Sequence, residues 1–120
     1  MILVDTSVWV NHLRTGSPRL AYFLQESLVL THSVVIGELA CGMLKNRSEI
    51  LALLQALPKA HVADEHEVLH LLESQKLYGV GLGWVDSHLL ASAQLTGCEL
   101  WTTDGALQKA AVKRDLHVLK

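Results

Sequence analysis

The first ten residues, MILVDTSVWV, constrain the fold more than any other stretch of this chain. Ile2-Leu3-Val4 is a short all-apolar run, which suits a strand buried on both faces of a parallel sheet. Asp5 follows at once. Thr6 and Ser7 are then good N-cap residues for a helix carrying Val8, Trp9, His12 and Leu13. Strand, acidic turn and helix open an α/β fold. In an open parallel sheet that turn lies at the carboxyl ends of the strands, where ligands bind. Asp5 is therefore the first candidate ligand of a metal site.

The same alternation runs through the rest of the chain. Thr15-Gly16-Ser17-Pro18 closes the first helix and opens a second, which carries Leu20, Phe23 and Leu24. Leu28-Val29-Leu30 reads as a second strand ending at Thr31-His32-Ser33, and Ser33 is the expected cap of a long helix reaching Leu44. A greasy helix over residues 49–57 stops at Pro58, His61-Val62-Ala63 is a candidate short strand, and residues 64–78 have a clear helical pattern. The loop Gly79-Val80-Gly81-Leu82-Gly83 lacks both GxGxxG spacing and a P-loop lysine, so it reads as a flexible connection that lets backbone approach the site. A helix opened by Asp86 ends at Gly97, Cys98 to Trp101 is a strand, and Thr102-Thr103-Asp104 leads into a last helix. Leu116-His117-Val118-Leu119 is a terminal strand or tail. The expected architecture is a three-layer α/β/α fold with a central parallel sheet of four or five strands, forming one domain over residues 1–120.

Composition narrows the setting. A length of 120 residues suits one domain, and a hydrophobic content of 50% is ample for one core. No apolar run approaches the ~20 residues that span a bilayer. No basic, then apolar, leader is visible, so a cytoplasmic protein is expected. Cys41 and Cys98 are far apart and are expected to be reduced and buried. The net charge of -2 does not announce a nucleic-acid binder. Arg14, Arg19, Lys45, Arg47, Lys109, Lys113 and Arg114 form small groups that read either as solvated helix faces or as phosphate-contacting surface.

Four acids carry the chemistry. Asp5, Asp86 and Asp104 are each explicable as helix caps. Glu38 is flanked by VVIG and LACG, with no other charge in either run, and an embedded carboxylate requires a partner, commonly a cation. A parallel sheet would bring the junctions at Asp5, Asp86 and Asp104 to one edge, with Glu38 projecting from the helix after the second strand. Carboxylates ~4 Å apart repel by about 4 kcal/mol at a protein-like dielectric. Such a cluster calls for protons or a divalent cation, and oxygen ligands without fixed His or Cys spacing point to Mg²⁺ or Mn²⁺. That ion favours phosphoryl chemistry. Thr6 and Thr102 would orient carboxylates, water or phosphate by hydrogen bonding.

At these residues the sequence resembles a known family. ILVDTSVWV, VVIGELACG around Glu38, GWVDSHLLASA and WTTDGAL resemble, in order, the four acidic motifs of PIN-domain ribonucleases, and the short length looks most like the VapC-type toxins of type II toxin–antitoxin modules. The resemblance implies that Asp5, Glu38, Asp86 and Asp104 bind Mg²⁺ or Mn²⁺ and that Thr6 and Thr102 are the site hydroxyls. It implies hydrolytic RNA cleavage, a homodimer, and inhibition by a cognate antitoxin. The chain departs from the family at Asp104-Gly105-Ala106-Leu107, where many members carry a second acid and a Phe. Arg14, Lys45, Arg47 and Lys109 are the candidate phosphate contacts. Apolar residues between Ile36 and Leu57, with Tyr22 and Phe23, are the candidate dimer and antitoxin surface.

Two other classes compete. An Asp-nucleophile phosphatase would use Asp5, but expects a second Asp two residues on, where this chain has Ser7. A non-catalytic RNA- or protein-binding module would use the apolar helices alone. His66-Glu67-Val68-Leu69-His70 fits the HExxH string only formally, with no third ligand in sight, and no GxSxG elbow exists.

Overall fold

Strand β1 (Ile2–Val4) is buried along its whole length. Successive strand residues face opposite sides of a sheet, so continuous burial means that both sides of β1 are covered. The structure, a computed structural model, describes residues 1–116 and 118–119. His117, in the expected terminal strand, lies outside the described residues, as does Lys120.

From β1 the chain runs through α1 (Thr6–Thr15) and α2 (Pro18–Gln25) to β2 (Val29–Leu30). It continues through α3 (Ser33–Ala40), α4 (Arg47–Ala56), α5 (Glu65–Ser74) and α6 (Trp84–Thr96) to β3 (Glu99–Trp101). Helix α7 (Gly105–Lys113) leads to β4 (Val118–Leu119). The four described strands are all parallel, in the order β2-β1-β3-β4. Helices α1, α3 and α4 pack together, α5, α6 and α7 form a second group, and the result is the expected three-layer α/β/α fold.

The sheet order places the ligand-binding edge. The chain leaves β1 toward β2 on one side and returns to β3 on the other, so β1 and β3 flank a topological switch point. Their register pairs Val4 with Trp101, which sets Asp5 and Thr102 side by side just past the ends of the two strands. The core beneath is made of Leu3, Val4, Leu20, Val35, Leu89, Leu90, Leu100 and Leu107, all essentially inaccessible. Each such side chain contributes roughly 1.5–3 kcal/mol by leaving water.

Several local expectations are corrected. Of the caps considered for α1, Asp5 takes the role, and Thr6 and Ser7 do not. His32, rather than Ser33, caps α3, its Nδ1 accepting from Val34 N at 3.1 Å. Residues 61–63 are not a strand; the extended contact falls earlier, where Thr31 pairs with Lys59 in an isolated parallel bridge. Helix α5 ends at Ser74, short of the expected residue 78. Cys98 is buried as expected, and burial pushes its thiol pKa up, but Cys41 is exposed. No described helix is long and apolar enough to cross a membrane.

Candidate active site

Asp5 is 5% exposed and is held by three donors. Thr6 N donates to its Oδ1 at 2.7 Å, while Ser7 Oγ at 2.8 Å and Thr102 Oγ1 at 2.7 Å donate to its Oδ2. The backbone reinforces the junction, since Asp5 N donates to Trp101 O at 2.9 Å. A carboxylate surrounded in this way has one orientation, fixed from both β1 and β3.

Each hydroxyl that binds one acid also ties down another element. Thr102 Oγ1 donates to Asp5 and accepts from Asp104 N at 3.0 Å, which locks the β3–α7 turn. Asp104 caps α7 through Oδ1, which accepts from Leu107 N at 3.0 Å. Gln108 Nε2, one turn into α7, donates to Thr102 O at 2.8 Å. Ser7 Oγ accepts from Thr103 N at 3.2 Å. On the other side, Thr6 Oγ1 donates to Glu38 Oε1 at 2.5 Å and so joins α1 to α3.

Glu38 corrects one premise. Its apolar neighbours suggested an embedded carboxylate, yet it is exposed. Val35, Ile36 and Leu39 point into the core, and the adjacent Gly37 and Glu38 form the outward face. The partner of Glu38 is Thr6, so its place in the cluster comes from tertiary contact and not from burial.

Asp86 lies in the first turn of α6, whose N-cap is Gly83. Its Oδ2 accepts from Gly83 N at 3.2 Å, so the last residue of the glycine loop does approach the site through its backbone. The Asp86 carboxyl pKa is raised, first by burial; the Gly83 N–H opposes that, and the charges of Asp104, Asp5 and Glu38 add to it. Asp86 thus feels the other three acids. Among the described residues, no group of three or more His, Cys, Asp or Glu side chains stands as a ready ion cage. An ion here would be held by carboxylates together with water, which is how Mg²⁺ is ordinarily bound.

Sequence reasoning missed Ser7 as a direct partner of Asp5 and Gln108 as the brace behind Thr102. The Asp-x-Ser spacing of 5 and 7 was a signal for the first, since Asx and Ser side chains bond locally around turns. Nothing local pointed to Gln108. Of the basic candidates, Arg47 is committed elsewhere, donating to the carbonyls of Ala40 and Gly42 (3.0 Å for Gly42) at the end of α3. Arg14 and Lys45 line a groove of about 730 Å³ beside Glu38, with Leu39 and the fully exposed Met43. His66 and His70 are exposed on α5, on the opposite helical group.

A switch-point sheet with acids at the strand ends and helix starts is the arrangement of a PIN domain. The sequence matches the PIN-domain family over residues 2–113, and the chain belongs to that family. Within it the chain is of the VapC type. It is 45% identical over 114 residues to the protein named Ribonuclease VapC32 in two Mycobacterium tuberculosis strains, CDC 1551 / Oshkosh and H37Rv, covering 94% of this chain and 92% of that protein. Among solved structures it resembles FitAcB from Neisseria gonorrhoeae, with a TM-score of 0.69 and 21% identity over 100% of this chain and 97% of that one. It also resembles FitAB bound to an IR36 DNA fragment, with a TM-score of 0.67 and 19% identity over 99% and 94% of the two chains. At these identities the structural likeness speaks for the fold.

Proposed function

We propose that this chain is the endoribonuclease toxin of a toxin–antitoxin pair, a single PIN-like domain over residues 1–120 that hydrolyses RNA with Mg²⁺ or Mn²⁺ at Asp5, Glu38, Asp86 and Asp104. The observation that carries this reading is the hydrogen-bond network in which Thr102 joins Asp5 to the Asp104 turn across β1 and β3 while Thr6, next to Asp5, holds Glu38. The 45% identity to a ribonuclease over nearly the whole chain supports the reaction class.

The donor set fits a hard divalent cation, since it offers carboxylate oxygens and no sulfur or imidazole. When bound, such an ion polarises a phosphate oxygen and makes bound water a nucleophile near neutral pH. The chain's own residues supply the positioning. Ser7 and Thr102 hold Asp5 in one rotamer, Thr6 holds Glu38, and the Gly83 N–H holds Asp86. A carboxylate fixed in this way needs no reorganisation when the phosphodiester arrives.

The partners follow the same reading. A cognate antitoxin and a second copy of the chain would cover exposed apolar side chains, of which Met43, Leu53 (59% exposed) and Tyr22 (56%) are prominent. The protein would act in the cytoplasm on RNA.

The test is cleavage of RNA by the purified chain with Mg²⁺ or Mn²⁺, with EDTA, and by Asp5→Asn. Loss of about 10²–10³-fold in kcat for the folded variant is expected, in line with removing one preorganised electrostatic group. Equal cleavage by wild type and variant would overturn the proposal. An aspartyl-phosphate intermediate would favour the phosphatase reading, and tight RNA binding without any cleavage the binding-module reading.

A further inference from the structure

We propose that single-stranded RNA reaches the acidic site along the outer face of α7, its phosphates resting on Lys109, Lys113 and, from the opposite wall, Lys76. The proposal rests on the ribonuclease reading and adds the path of the substrate.

A groove of about 500 Å³ runs between α7 and the segment from the end of α5 into the glycine loop. Lys109 and Lys113 line one wall, Lys76 lines the other, and among the described residues no acidic side chain lines it. All three lysines are exposed. In a chain with a net charge of -2 and ten lysines and arginines, three of those cations share this one groove.

The spacing has the periodicity of a track. Gly105, Lys109 and Lys113 are four residues apart on one helix, so they form a stripe that advances about 6 Å per step. Point charges in a row take successive phosphates without reading bases. The stripe begins at the site itself, because Gly105 is bonded to Asp104. Groove and site are also braced as one unit, since Gln108, which lines the groove, holds the carbonyl of Thr102.

Charge decides between occupants. Four carboxylates repel a polyanion, so the attraction that brings RNA to them must come from nearby cations. The second groove sets Arg14 and Lys45 against the acid Glu38, and its walls are otherwise mostly apolar, among them Val10, Leu13, Leu39 and Met43, so it suits a protein surface better. The α7 groove is basic, with three lysines on its walls beside exposed Val80 and Val112.

The experiment uses the full chain with a single-stranded RNA oligonucleotide and Mg²⁺ over a range of KCl concentrations. The variants are Lys109→Ala/Lys113→Ala, the milder Lys109→Gln/Lys113→Gln, and Lys76→Ala, with Lys59→Ala as a control that removes the same charge elsewhere. The expected result is a KM raised by about tenfold or more at low salt in either double variant, with kcat within about twofold. The slope of log(1/KM) against log[KCl] should fall by about 0.7 for each lysine removed, and the control should match wild type. Intact cleavage with unchanged KM and slope overturns the track and leaves the ribonuclease reading standing. An equal effect of Lys59→Ala, or a changed oligomeric state of the lysine variants by light scattering, also overturns it. If the chain cleaves no RNA, anisotropy of a labelled oligonucleotide reports Kd instead. Lysine-dependent binding then upholds the track while the ribonuclease reading fails, and lysine-independent binding or none overturns both.

Discussion

Thr102 is wholly buried, and its one hydroxyl serves two acids, donating to Asp5 Oδ2 and accepting from Asp104 N. Thr102→Val keeps the shape and removes the hydroxyl, leaving a buried carboxylate oxygen and a backbone N–H each short of a partner. A loss of about 1–3 kcal/mol is expected from urea denaturation, with Thr102→Ser close to wild type because the hydroxyl survives. Asp86 behaves oppositely. Its pKa is raised in the folded state, so the ionised carboxylate opposes folding: stability is greatest at low pH and falls as pH rises from the ordinary carboxyl range through the raised value. Asp86→Asn retains an acceptor for Gly83 N–H and removes the charge. The metal-free variant should therefore melt higher than wild type at pH 7, and, if the proposed metal site is correct, Mg²⁺ should raise the melting temperature of wild type more than that of the variant. His32 supplies the complementary case. Burial, and secondly His88, lower its pKa, so the unfolded chain takes up its proton first as pH falls. Stability on this account is full above about 6.5, the ordinary histidine value, and declines below it. Because Nδ1 accepts from Val34 N, Nε2 must donate to Ser92 Oγ, at 2.8 Å, in the neutral form. His32→Asn keeps a capping oxygen and should flatten the difference in urea midpoint between pH 7.5 and 5.5.

At the scale of elements, caps and glycines set where helices begin and end. Gly97 closes α6 in the left-handed region, with φ 71. Gly37 sits within α3 and has open space where a Cβ would go. Gly97→Ala should cost about 1–2 kcal/mol through the strained backbone, whereas Gly37→Ala should add up to about 1 kcal/mol through helix propensity; thermal melts of the pair distinguish the two. Most elements were legible because their signals are local. Ile2–Val4, the Pro18 start, the helical pattern after Asp64, and the Gly97 stop all announce themselves within a few residues. The misses have local causes too. Ser33 lost the cap of α3 to His32 because the histidine ring reaches both Val34 N and a buried serine sixty residues away, a contact no short window contains. The strand expected at residues 61–63 failed because the parallel contact with Thr31, just past β2, falls at Lys59, while Ala63 N is taken by Ser92 Oγ at 3.1 Å.

At the scale of the whole molecule, a sheet edge gathers Asp5 and Thr102, ninety-seven residues apart, into one hydrogen bond. Exposed Met43, Leu53 and Tyr22 leave apolar surface for partners, and light scattering at micromolar concentration should give the mass of a dimer; a clean monomer counts against it. By itself, the sequence determined the alternation of strands and helices, the parallel sheet and the acids at its loops, because apolar periodicity and capping chemistry act over a handful of residues. Only the tertiary structure decided that Glu38 is exposed and tied to Thr6, that Ser7 and Gln108 brace the site, and that three lysines share a groove lined by Gly105, the residue after Asp104. Those facts depend on the strand order and on how helices pack across it, and such distances between remote side chains are fixed only when the chain closes on itself.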